Sequence, residues 1–231
     1  MKAPIVEIFS SFQGEGLWIG RRQIFVRFAG CNLRCNYCDT KKSQSKNSGI
    51  MLSTDEVLEK IENLKTSDLH SISFTGGEPL LYPDFINEIV QKTDLKVMIE
   101  TNGILSDSLL TINRIDCVSM DIKLPEHFDG DWKDDIFENE IISLKLLIEK
   151  DIKLYCKVVV FPSTKISTLK RMVKKLCEEI PNRNISIVLQ PVNPIDQWKN
   201  DIEKLFDFSE VIGQYMEVLT IPQVHKFLDI E

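Results

Sequence analysis

The sequence predicts an α/β protein built on a parallel sheet of about six strands, and two observations carry that prediction. Short runs rich in β-branched residues recur at residues 23–29, 71–74, 96–100, 117–121, 153–160 and 185–190. Between them lie segments whose apolar residues repeat at spacings of three and four, the period of a helix with one buried face. Strands that alternate with helices belong to parallel sheets, because parallel neighbours need a crossover connection. Such a sheet is either an open doubly wound layer or an arc of a barrel. In both, reactive groups gather just past the C-terminal ends of the strands.

The first strand, 23–29, is apolar apart from Gln23 and Arg27. The next helix carries the stripe Val57, Leu58, Ile61 and Leu64, and Ser53 with Glu56 forms a capping box at its start. Further stripes are Phe85, Ile86, Ile89 and Val90, then Ile141, Leu144, Leu147 and Ile148, then Leu169, Val173 and Leu176. All are read as core faces without a function of their own.

With 231 residues, 43% apolar and 27% charged, the chain can bury one sizeable core, and one domain over 1–231 is expected. The net charge is −7 and no stretch concentrates Lys and Arg, so nucleic acid is not an expected partner. No apolar run approaches the roughly 18 residues of a membrane span, and the N-terminus lacks a signal-peptide pattern. No membrane partner is expected, and the protein reads as cytoplasmic. Of six cysteines, Cys117, Cys156 and Cys177 stand alone in apolar patterns and read as buried small hydrophobes.

The other three, Cys31, Cys35 and Cys38, follow the first strand on one short loop. Thiolates are soft ligands, and three on a tight loop can hold three irons of a four-iron cluster. The fourth iron then lacks a protein ligand and is open to a small molecule. A zinc site is the alternative. It usually wants four ligands from paired spacings, whereas here no second CxxC exists and His70, His127 and His225 are scattered. These histidines read as surface or packing residues.

The CxxxCxxC spacing with Tyr37 before the last cysteine resembles the signature of the radical S-adenosylmethionine superfamily. So do Thr75-Gly76-Gly77-Glu78-Pro79, Glu100-Thr101-Asn102-Gly103, Ser119-Met120-Asp121-Ile122-Lys123 and Gln190-Pro191-Val192-Asn193, each at a predicted strand end. The resemblance implies a compact partial (incomplete) TIM-type barrel and a [4Fe-4S] cluster on Cys31, Cys35 and Cys38. The open iron would chelate S-adenosylmethionine, whose reductive cleavage gives a 5′-deoxyadenosyl radical. Implied contacts to that cofactor are Tyr37, Cys38, Asp39, Gly77, Glu78, Thr101, Asn102, Ser119, Met120, Asp121, Gln190, Pro191, Val192 and Asn193.

The segment Glu7-Ile8-Phe9-Ser10-Ser11-Phe12-Gln13-Gly14-Glu15-Gly16, with the terminal Pro222-Gln223-Val224-His225-Lys226-Phe227-Leu228, narrows the resemblance to the 7-carboxy-7-deazaguanine synthase family. That family converts 6-carboxy-5,6,7,8-tetrahydropterin to 7-carboxy-7-deazaguanine with loss of ammonia, on the route to queuosine. The resemblance implies a small-molecule pterin substrate held by Phe12, Gln13, Gly14, Arg27 and Thr75, and Mg2+ on Thr40. It also implies a homodimer and a flavodoxin-like electron donor. From the residues alone, glycines in FQGEG let the backbone approach a flat ring. Arg27, on an otherwise apolar strand, needs an anion. A substrate carboxylate would serve, and so would an ion pair with Glu15 or Glu100. Two other functions stay open: a radical enzyme that activates a protein partner, and a zinc-binding interaction module. The segment 125–135 is expected to be a variable loop or a lid.

Overall fold

The computed structural model describes residues 1–130, 135–181 and 185–230. The chain opens with a hairpin of β1 (Lys2–Phe12) and β2 (Arg22–Phe28), and β3 (Ile50–Ser53) pairs with the other edge of β1. Crossovers then alternate: α1 (Thr54–Asn63), β4 (Ser71–Gly76), α2 (Pro83–Gln91), β5 (Lys96–Thr101), α3 (Ser106–Thr111), β6 (Cys117–Asp121), α4 (Asp135–Glu149), β7 (Leu154–Val160), α5 (Ile166–Glu179), β8 (Ile187–Pro191), α6 (Glu203–Gly213) and β9 (Val218–Thr220), ending in α7 (Val224–Leu228).

All described strands lie in one sheet of order β3-β1-β2-β4-β5-β6-β7-β8-β9. From β2 onward every pairing is parallel. The sheet is not closed, so it is a partial barrel with an antiparallel hairpin on one edge. The six predicted strands are all present, within two residues of their expected bounds. Three strands were not predicted. β1 is hidden because Glu7, Ser10 and Ser11 interrupt its apolar alternation. The short β3 and β9 carry too few residues for a periodic signal.

The helical stripes do face the core. Val57, Ile61, Leu144, Leu169, Val173, Leu176 and the whole α2 stripe are buried. The Ser53–Glu56 capping box closes in both directions, at 3.3 and 2.7 Å. Cys117 and Cys156 are buried as expected. Cys177 is not: on α5 it is only half-buried, with its thiol toward the Tyr215 carbonyl at 3.7 Å. In the segment 125–135, residues 131–134 lie outside the described residues. Its start is a 3-10 turn that buries His127.

Candidate functional site

A cavity of about 380 Å³ lies where the strand C-termini converge, lined by the cysteine loop, the ends of β4, β5, β6 and β8, and the β1–β2 hairpin. Its geometry begins with the cysteine loop. Phe28 ends β2, and the loop is then pinned from two sides. The Gly30 and Cys31 amides donate to the Ser43 and Gln44 carbonyls, and the Asn36 amide donates to the His127 carbonyl. All three loop cysteines are free thiols that line the cavity. The Leu33 amide donates to Cys31 Sγ at 3.4 Å, a contact suited to a thiolate. Burial pushes the Cys31 thiol up to about 11. Three cysteines lining one space, with no fourth cysteine in that lining among the described residues, fit a cluster with one open iron. Among the described residues, the group close enough to share a single ion is Glu15, Asp39 and His225, within 4.8 Å of one another, and it includes no cysteine.

The turn after β4 sits directly beneath this loop. Gly77 and Glu78 amides donate to the Phe28 and Gly30 carbonyls at 2.9 and 2.8 Å. A Cβ on Gly77 would lie 2.0 Å from the Gly30 oxygen, so only glycine permits this approach. The Glu78 carboxylate accepts from the Leu80 amide (2.9 Å), the Thr101 hydroxyl (2.8 Å) and the Asn102 amide (2.9 Å). Burial pushes its pKa to about 7 against those three donors. Glu78 therefore ties the β4 turn to the end of β5, and Asn102 carries the tie on to Asn32 of the cysteine loop at 2.7 Å.

Across the cavity runs a chain of charges, buried at Lys123 and Lys157 and half-buried at Glu15 and Asp121. Lys157 on β7 bonds Glu15 at 2.5 Å and Asp121 at 3.3 Å. Asp121 bonds Lys123 at 2.6 Å, and Lys123 donates to the Tyr37 hydroxyl at 2.9 Å. Burial alone would raise Asp121, but the two ammonium groups hold it down to about 2. Gln223 adds a second link from Glu15 (2.6 Å) to Asp39 (3.1 Å), beside the last cysteine.

The hairpin supplies the opposite wall. Arg27 Nε donates to Glu7 at 2.5 Å, and its guanidinium lies over the Phe9 ring, which stacks on Phe25. Its anionic partner is thus Glu7, the residue opposite it in the hairpin register, rather than Glu15 or Glu100. Gln13 is buried, and its amide donates to Gln23 and to Glu100, at 2.9 and 2.8 Å. Glu100 also accepts from Ser73 and Thr75.

Of the predicted site residues, Phe12, Gln13, Gly14, Arg27, Tyr37, Asp39, Thr40, Thr75, Gly77, Glu78, Thr101, Asn102, Asp121, Gln190, Val192 and Asn193 line the same cavity as the cysteines. Ser119, Met120 and Pro191 do not. Met120 is packed in the core, because the alternation that turns Asp121 inward turns Met120 away. Sequence reasoning missed Glu7, Glu15, Glu100, Lys157, Gln223 and His225 as cavity residues. For His225 the signal was present in the terminal segment. Its ring lies so close to Gly14 that a Cβ there would meet Nδ1 at 2.0 Å.

A cysteine loop of this form at the mouth of an open parallel barrel defines a radical S-adenosylmethionine protein, and residues 25–205 match the radical SAM superfamily. The chain is 44% identical to the 7-carboxy-7-deazaguanine synthase of Methanothermobacter thermautotrophicus, covering 100% of this chain and 98% of that one. It is 38% identical to the enzyme of the same name from Methanocaldococcus jannaschii, over 97% and 98%. Within the superfamily, then, the chain belongs to the 7-carboxy-7-deazaguanine synthase family. The fold is similar to that of QueE from Escherichia coli, with a TM-score of 0.64 and 21% identity over 97% of this chain and 95% of that one. TYW1 with a lysine-pyruvate adduct bound aligns with a TM-score of 0.60 and 16% identity, over 86% and 75%.

Proposed function

We propose that this protein converts 6-carboxy-5,6,7,8-tetrahydropterin to 7-carboxy-7-deazaguanine with loss of ammonia. The observation that carries this reading is a single cavity in which the cysteine loop and the FQGEG hairpin face one another. When bound, the cluster and S-adenosylmethionine supply the family's radical chemistry. Cys31, Cys35 and Cys38 hold the cluster, and Tyr37, Asp39, Gly77, Glu78, Thr101, Asn102, Asp121, Gln190, Val192 and Asn193 surround the cofactor. Ser119, Met120 and Pro191 act through the strands they belong to.

Phe12, Gln13, Gly14, Arg27 and Thr75 hold the pterin. Arg27 gives Nε to Glu7, leaving its terminal amino groups for a substrate carboxylate. Thr40 offers its hydroxyl to Mg2+, a hard ion suited to oxygen ligands, in a cavity that the Asp39 and Glu15 carboxylates also line. One domain over 1–231 would contain the whole site. Six free cysteines accord with a reducing cytoplasm. A homodimer served by a flavodoxin-like donor completes the reading; among the described residues no helix is long and apolar enough to cross a membrane.

The test is anaerobic reconstitution with iron and sulfide, followed by incubation with the pterin, S-adenosylmethionine, Mg2+ and a low-potential reductant. Formation of 7-carboxy-7-deazaguanine and ammonia is expected. Cleavage of S-adenosylmethionine without conversion of the pterin would refute the substrate, and cleavage by Cys35→Ala would refute the role of the cysteine loop.

A further inference from the structure

We infer that Lys123 is a fixed cation that raises the reduction potential of the cluster carried by the cysteine loop, with Asp121 partly offsetting it. The inference rests on that loop holding a cluster. Lys123 lies just past β6, its side chain only 5% exposed. Its ammonium donates to the hydroxyl of Tyr37, the residue between Cys35 and Cys38, and lies 5.4 Å from the centre of that ring.

Neither partner is free to move. The Tyr37 ring is held edge-on by His127 at 4.7 Å and by Phe161 at 5.8 Å. The Lys123 amide donates to the buried Glu140 carboxyl at 3.0 Å. A buried ammonium is costly unless paired, and here one carboxylate, Asp121, is shared between two ammonium groups. The sequence Glu15–Lys157–Asp121–Lys123 alternates in sign and sums to zero. Its anionic end lies in the FQGEG hairpin, and its cationic end meets Tyr37 between two of the loop cysteines.

Taking one electron from a low-potential donor brings [4Fe-4S]2+ to [4Fe-4S]+, with no bond or proton changed. The product is one unit more negative, so a nearby fixed cation favours it. A neighbouring anion does the reverse.

The experiment is an EPR-monitored redox titration of cluster-loaded protein, without S-adenosylmethionine, after iron and sulfide have been counted. Lys123→Met should disfavour reduction by about tenfold, a negative shift of about 59 mV for a one-electron couple. Asp121→Asn should shift the potential the opposite way, and Lys123→Arg should restore the wild-type value. Unmoved potentials in the loaded Lys123→Met protein would overturn the inference, as would a shift seen only with S-adenosylmethionine present. Should Lys123→Met fail to load, an unmoved or negative shift in Asp121→Asn overturns it. Wild-type protein that takes up no four-iron cluster would overturn the cluster assignment as well, so the two failures are distinct.

Discussion

His127 should make the protein acid-labile in a defined window. The imidazole is fully buried behind Tyr37. Its Nδ1 accepts from the Leu124 amide at 3.0 Å, and Nε2–H donates to the Val159 carbonyl at 2.8 Å. A proton added to Nδ1 would face an N–H donor. Burial first, and the Lys123 charge second, lower its pKa from 6.5 to about 3. The unfolded chain takes up a proton near pH 6.5 while the folded one does not, so stability is present above 6.5 and is lost as pH falls toward 3. Between pH 7 and pH 5 the loss from this group is about 2 kcal/mol. Denaturant unfolding of the cluster-free protein at both pH values, beside His127→Gln, isolates the effect. The variant should be the less stable at pH 7, because buried bonds are lost, and the gap should shrink by about 2 kcal/mol at pH 5. Glu78, with its folded pKa raised to about 7, gains stability on acidification, but equally in both proteins. A gap that does not change with pH, or an NMR inflection of the His127 ring near 6.5, would refute the reasoning.

Lys157→Met should destabilise by about 3 kcal/mol, because it strands Glu15 and half of the Asp121 pairing; thermal unfolding would fall by roughly 2–4 °C per kcal/mol in a chain of this size. A shift under about 3 °C would contradict it. Gly77→Ala should drive its Cβ into the Gly30 carbonyl, costing about 1–3 kcal/mol and lowering iron uptake on reconstitution. Iron loading at pH 7 should release protons measurable in weakly buffered solution, since the Cys31 thiol, at about 11, must ionise to bind. Arg27→Lys keeps the charge but loses the planar fork, so KM for the pterin should rise about tenfold while S-adenosylmethionine cleavage is retained; an unchanged KM would remove Arg27 from substrate binding.

The sequence by itself determined the six central strands, their parallel arrangement and the helical faces, because each is written in local periodicity that burial then enforces. It also located the cysteine loop and the strand-end segments, because ligand spacing and turn chemistry are local. The tertiary structure alone decided what those segments touch. That Arg27 pairs with Glu7 depends on the hairpin register, and β1 itself was illegible because Glu7, Ser10 and Ser11 break its apolar alternation, with Glu7 and Phe9 lining the cavity while Ala3 and Ile5 join the core. That Glu78 is a tie between two strand ends, and not an open carboxylate, depends on where the β5 amides fall. The four-residue charge chain joins positions 15, 121, 123 and 157, and His225 reaches Gly14 from the far end of the chain. Such contacts arise only when β1, β6, β7 and the terminal segment are brought to one end of the sheet, and no spacing along the chain encodes them.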